Sequence, residues 1–185
     1  HKSWHQWAVS KGVNSIILGF LDYNPNMLMN FDASSDSLAF PTPRSWEMVS
    51  NILNHISENI NDVLPLIAGC IGDNATYKLK SWCEIYSKLP SVEEIFAGNF
   101  SAIPKRPETL YAMSAMIVAY AQEHNSDIEI KNIVNYSAQL PMEFKNHIFT
   151  DLLEIPHIRK QLSRTYAFDD WFVRTGKDWE DYGVI

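Results

Sequence analysis

Arg44 stands directly after Thr42-Pro43, where a stretch with helical period begins. A threonine hydroxyl accepts an orphan backbone N–H and proline is pre-set for the first helical position, so the pair predicts a helix start here. The positive end of the helix macrodipole disfavours a cation in the first turn by a few tenths to about 1 kcal/mol. Two readings account for an arginine in such a place. It can pair with Glu47, three residues on, which offsets part of that cost. Alternatively, the guanidinium and the free N–H groups of the helix start together face an anion such as a nucleotide phosphate. Ion pairs of the first kind are common on helix surfaces, and the residues alone favour that reading.

Other chemistry has less support. A phosphate-binding loop needs glycines whose N–H groups wrap the phosphates, followed by Lys and then Ser or Thr. The one Gly-Lys pair, Gly176-Lys177, is followed by Asp178, and Trp171 occupies the upstream glycine position. Ile16-Ile-Leu-Gly-Phe-Leu-Asp22 superficially resembles an apolar strand ending in a magnesium-binding Asp. Its large residues at 16, 17, 20 and 21 nevertheless have helical spacing, and Tyr23 stands where a catalytic Glu would follow. His1 and His5 are four apart with no third ligand near in sequence, and His55, His124, His147 and His157 have no partner at ligand spacing, so no metal site is expected. No Gly-x-Ser-x-Gly elbow is present, and Cys70 and Cys83 lie in apolar helical segments, which predicts buried, inert, unlinked thiols. The adjacent carboxylates Glu93-Glu94 and Asp169-Asp170 would point about 100° apart on a helix, which makes poor acid–base dyads. No catalytic residue is assigned.

The elements that must position these groups are helices throughout, so the expected fold class is all-α. Trp46, Val49, Leu53, Ile56 and Ile60 form a stripe spaced 3, 4, 3 and 4, opposite Glu47, Ser50, Asn51, Asn54 and Glu58. Leu79, Trp82, Tyr86 and Leu89 form a second stripe that stops before Pro90. A third helix is expected from about Pro107 to His124, apolar on most faces and therefore the most buried. Shorter helices fit Trp4 to Ser10, Asn14 to Tyr23, Asn61 to Ile71, Val92 to Ala97, Ile128 to Leu140 and Met142 to Leu153. Gly98 to Pro107, with two prolines and no period, reads as the join between two helical halves, 1–99 and 100–185. Asn24 to Pro43 is the other long irregular piece. Phe168 to Phe172 and Trp179 read as a packing segment followed by a polar tail.

Composition narrows the class further. The chain has 185 residues, 46% hydrophobic and 20% charged, as in a globular domain. Lys plus Arg is 15 and Asp plus Glu is 22, a net charge of -7 with no local basic cluster, which argues against nonspecific nucleic-acid binding. The apolar runs are too short to span a bilayer, no signal peptide is evident, and two cysteines without a Cys-x-x-Cys pair suit a reducing, cytoplasmic setting. The start at His1 without a Met suggests a piece of a longer protein.

Phe40-Pro-Thr-Pro-Arg-Ser-Trp-Glu47 resembles the sensor-2 segment of MoxR-like AAA+ ATPases, in which a Pro-Arg-Ser motif opens a helix of the C-terminal lid. Trp4-His-Gln-Trp-Ala8, Phe20-Leu21, Pro25, Gly69-Cys-Ile-Gly72, Leu89-Pro90, Glu94-Ile95 and Gly98 are similar in order and spacing to a bacterial and phage-type branch of that family. The resemblance covers about residues 4 to 98 well and 107 to 172 moderately. It implies that residues 1–99 are a lid bundle and 100–185 a helical extension. It also implies that Arg44 reaches the terminal phosphate of ATP, held with Mg2+ in a preceding nucleotide-binding core. The parent would be an ATPase, a ring homo-oligomer acting on a protein client; the core itself is missing from this chain. The competing expectation is a free-standing interaction module whose aromatic surface near Trp4, Trp7, Trp171 and Trp179 binds a protein.

Overall fold

The computed structural model describes residues 2–31, 38–55, 59–99 and 102–184. Among these residues the chain is all-α, with eleven α-helices, four short 3-10 turns and no strand. They group into two compact units, His1–Leu89 with Pro107–Met113, and Pro90–Arg106 with Ser114–Ile185.

The first unit contains α1 (Lys2–Ser10), α2 (Ser15–Tyr23), α3 (Pro43–His55), α4 (Leu64–Ile71) and α5 (Asp73–Tyr86). Asn14 caps α2 by accepting the Ile16 N–H, and its own N–H donates to Ser50 Oγ on α3 at 2.9 Å. Ile17 to Leu21 are all buried. A Cβ on Gly19 would sit 3.1–3.2 Å from Trp82 and from the backbone of Tyr111 and Ala112, a close approach that favours glycine. Gly72 separates α4 from α5 at φ 77, a left-handed conformation that L side chains rarely adopt.

The stripe predicted for α3 forms as expected through Trp46, Val49 and Leu53, all buried. Ile56 and Glu58 lie outside the described residues. Ile60 belongs to a separate 3-10 turn, Ile60–Val63, because Asn59 accepts the Asn61 N–H and starts a new element. Trp46 is fully buried, packs on Phe20 at 5.5 Å between ring centroids, and donates its indole N–H to the Met27 carbonyl at 2.8 Å. Phe20 also meets Trp82 of α5 edge-on at 6.1 Å. α2, α3 and α5 therefore share one aromatic core.

The second unit contains α6 (Val92–Phe96), α8 (Asp127–Ser137), α9 (Met142–Leu153), α10 (Arg159–Ser163) and α11 (Tyr166–Arg174). α7 spans Pro107–Ala121; its first seven residues fall in the first unit and the rest in the second. Ser126 and Glu129 close a reciprocal capping box at the start of α8. Asn132 of α8 donates to the Phe96 carbonyl at 2.9 Å, tying α6 to α8. Residues 90–99 thus group with the second unit, whereas the sequence reading placed them with the first. Phe100 and Ser101 of the expected join lie outside the described residues.

Phe168, Trp171, Phe172 and Trp179 are buried, as expected of a packing segment, so Trp171 and Trp179 do not form the partner-binding aromatic surface of the competing interaction-module expectation. Trp179 stacks on Phe172 at 3.8 Å and donates to Asp169 at 2.8 Å, and Trp171 donates to Asn146 at 2.9 Å. Two large aromatic rings with satisfied N–H groups contribute more in the core of this unit than on its surface. No helix among the described residues is long and apolar enough to cross a membrane.

Candidate functional site

The site is built from the start of α3. Thr42 Oγ1 accepts the Ser45 N–H at 3.0 Å, and Ser45 Oγ in turn accepts the Thr42 N–H at 2.8 Å, a reciprocal cap formed by a Thr-Pro-Arg-Ser sequence. The Trp46 N–H already bonds the Thr42 carbonyl at 3.0 Å, and Pro43 has no N–H. Of the first-turn donors only the Arg44 N–H is left without a partner among the described residues. The helix start alone is therefore a poor cradle for a multiply charged anion, which is usually held by several converging N–H groups.

The Arg44 side chain is exposed and makes no ion pair or hydrogen bond among the described residues. The Glu47 pairing favoured by the sequence is not made. Two positions further along α3, Trp46 faces the core and fixes the backbone from which the guanidinium projects. Beside it, Trp4 and Trp7 of α1 and Pro43, Glu47, Met48 and Asn51 of α3 line a groove of about 470 Å3. The two indoles lie 6.3 Å apart, Trp7 is 37% exposed and Met48 48% exposed. The sequence reading named Trp4 and Trp7 as part of a partner-binding aromatic surface but not the α3 wall, Pro43, Glu47, Met48 and Asn51, opposite them.

Most of the remaining candidates have structural partners; His147 Nε2 lies 3.8 Å from the buried Asp151 Oδ2. His5 is buried, with Nδ1 2.8 Å from Asp22 Oδ1; His1 lies outside the described residues. Asp22 is the first carboxylate of the chain and closes an apolar run, so a buried hydrogen-bonding partner was foreseeable. His55 bonds the Asn51 carbonyl at 2.6 Å, His157 the Gln122 carbonyl at 3.1 Å, and His124 stacks on Tyr120 at 3.8 Å. Glu93 accepts from Ser91, a bond that holds its carboxyl below the usual range, and Glu94 accepts from Asn99. Asp170 pairs with Arg174 at 2.9 Å, while Asp169 holds Trp179. Neither adjacent pair forms an acid–base dyad.

Both cysteines are free and half-buried rather than buried. Burial pushes the Cys83 thiol up to about 12 and the Cys70 thiol upward as well. Since the thiolate is the nucleophile, native protein at pH 8 labels at Cys83 more slowly than at Cys70. Peptide mapping after a short pulse of iodoacetamide checks the order; equal labelling of the two would contradict it.

Comparison of the chain with protein-family models, with curated proteins and with solved structures finds no match.

Proposed function

We propose that this chain is the C-terminal lid and helical extension of a MoxR-like AAA+ ATPase, with Arg44 as the sensor-2 arginine contacting the terminal phosphate of ATP. One observation carries the reading. In the Phe-Pro-Thr-Pro-Arg-Ser-Trp-Glu string, the exposed Arg44 side chain has no partner among the described residues while the residues on either side lock the helix start. An unpaired guanidinium on a rigid root suits a charge that meets a phosphate supplied from elsewhere. The chain's own contribution is a single guanidinium. The phosphates and Mg2+ would be held by a preceding nucleotide-binding core in a ring homo-oligomer, and the second unit would contact a protein client.

The capping arrangement leads to a test. With the Ser45 and Trp46 N–H groups engaged, the 185-residue chain alone shows no micromolar binding of ATP in calorimetry. The same residues fused behind a P-loop core of the family restore it. Micromolar binding by the chain alone, or no binding by the fusion, would overturn the assignment.

A second reading, a protein-interaction module, is favoured by the exposed indole of Trp7 beside Met48 in the α1–α3 groove.

A further inference from the structure

We infer that His124, Glu129 and Glu93 of the second unit bind a divalent cation of the zinc class, with His124 and Glu129 as the core of the site and Glu93 as the third ligand. This goes beyond the nucleotide reading and does not depend on it. The three residues come from separate pieces of the chain: Glu93 from the first turn of α6, His124 from the link between α7 and α8, and Glu129 from the first turn of α8. His124 and Glu129 are five apart with a helix start between them, so no spacing rule for ligands on one helix marks the pair.

Neighbouring groups hold each donor in place. The His124 ring lies flat on Tyr120, with centroids 3.8 Å apart and planes 8° apart, and its Nδ1 is 3.7 Å from Glu129 Oε1. Tyr120 in turn meets Phe96 of α6 edge-on at 4.6 Å, which anchors this platform. Glu129 uses its other oxygen, Oε2, to accept from the Ser126 N–H at 2.9 Å and from Ser126 Oγ at 2.7 Å. Glu93 likewise accepts from Ser91 Oγ through Oε2 at 2.6 Å. Each carboxylate is therefore oriented by a serine on one oxygen and keeps lone pairs on the other, the outer-shell support that metal ligands use. The His124–Glu129 separation is too long for a hydrogen bond. An ion about 2.1 Å from each of the two atoms would subtend about 120° between them, within reach of four-coordinate zinc.

Charge points the same way. The serine bonds hold both carboxyls below the usual range, and the imidazole adds to the effect on each. Burial pushes the Tyr120 phenol up, and Glu93 and Glu129 push it further, so both carboxylates act on the ring that carries His124. Neither has a lysine or arginine partner among the described residues. Two anions around one imidazole with no fixed cation leave a place for a positive charge. A nitrogen donor with carboxylates suits zinc, whereas magnesium and calcium favour all-oxygen sets. Three protein ligands leave the fourth position to water.

The probe is zinc chloride, titrated into the 185-residue chain in a non-chelating buffer and followed by proton–nitrogen NMR of the histidine rings and the backbone. The expected result is a saturable change at the His124 ring and at the Glu93, Ser126 and Glu129 amides, with no such change for magnesium up to about 1 mM. Glu129→Gln removes the anion but keeps the reciprocal cap, because Gln serves at that position as Glu does. It weakens zinc binding at least tenfold and leaves the metal-free thermal midpoint unchanged. His124→Gln abolishes the binding, and Glu93→Gln weakens it by less than Glu129→Gln does. His147→Ala, at the histidine–carboxylate pair of α9, leaves the His124 response intact. No zinc response at His124 by about 1 mM, a response confined to other histidines, an equal response to magnesium, or an affinity unchanged by any one of the substitutions at 93, 124 and 129 overturns the inference.

Discussion

If Arg44 is the sensor-2 arginine proposed above, replacing it by Ala in the full-length parent lowers steady-state ATP turnover by about 10²–10³-fold, the usual cost of removing one preorganised charge donor from a transition state. Stability changes by under about 0.5 kcal/mol, as for most exposed side chains without partners. Its small change is expected to be favourable, because a cation leaves the positive end of the α3 dipole. The two readings of this residue therefore separate cleanly. A surface arginine predicts neither effect on rate nor loss of fold; a phosphate-facing one predicts a large effect on rate alone. ATPase rate and thermal midpoint are measured on the same preparation, with Glu47→Ala as the local control and Arg44→Lys retaining charge but not the planar fork. Full turnover in Arg44→Ala, or turnover lost through unfolding, removes Arg44 from the nucleotide site.

Trp46→Ala has the largest expected effect on the fold, a loss of about 3–5 kcal/mol. The indole is fully buried against Phe20, and its N–H is the partner of the Met27 carbonyl. Deleting it leaves a cavity where α2, α3 and α5 meet and strips that carbonyl of its donor. Against a total stability of about 5–15 kcal/mol for a typical domain, this is enough to loosen the first unit. Trp46→Phe separates the two contributions: it fills most of the space and removes the hydrogen bond, at a cost of about 1–3 kcal/mol for the orphaned acceptor. Urea unfolding followed by circular dichroism provides the comparison. A loss below 1 kcal/mol in Trp46→Ala would mean that the α3 start is not anchored as described.

Much of this architecture is written locally. Thr42-Pro43 marks the start of α3 because a hydroxyl and a fixed φ act within one turn, and Trp46, Val49 and Leu53 reveal the buried face by spacing alone. Met142–Leu153 matches its expected limits, since Pro141 and the apolar period both operate at short range. Other features depend on partners distant in sequence. The grouping of residues 90–99 with the second unit rests on the bond between Asn132 and Phe96, 36 residues apart. α11 escaped as an element although Phe168, Trp171 and Phe172 carry helical spacing; its Thr165 cap makes no side-chain hydrogen bond. Trp179 was legible as a packing residue, but its partner, a ring seven residues earlier on which it stacks, is fixed only once α11 is folded. For the candidate site, Arg44 was legible from its position at a helix start. The absence of its pairing with Glu47 was not, because i to i+3 pairing depends on rotamers that no spacing rule fixes. The indole wall of the groove requires α1 to lie beside α3, and nothing in either segment alone specifies that.

The reciprocal Thr42–Ser45 cap, with Trp46 inserted behind it, also determines how the thermal cost of using Arg44 is divided. The backbone at Arg44 is ordered during folding, whether or not anything approaches the guanidinium. Engagement then freezes only side-chain torsions, a loss of up to about 2 kcal/mol in rotamer freedom for an arginine, and none of the 1–2 kcal/mol per residue that ordering a loop would add. An arginine on a mobile loop would bear both costs at each encounter. Here the arm swings from a fixed shoulder, so the contact can form and release on the nanosecond timescale of exposed side chains rather than wait for a segment of chain to order.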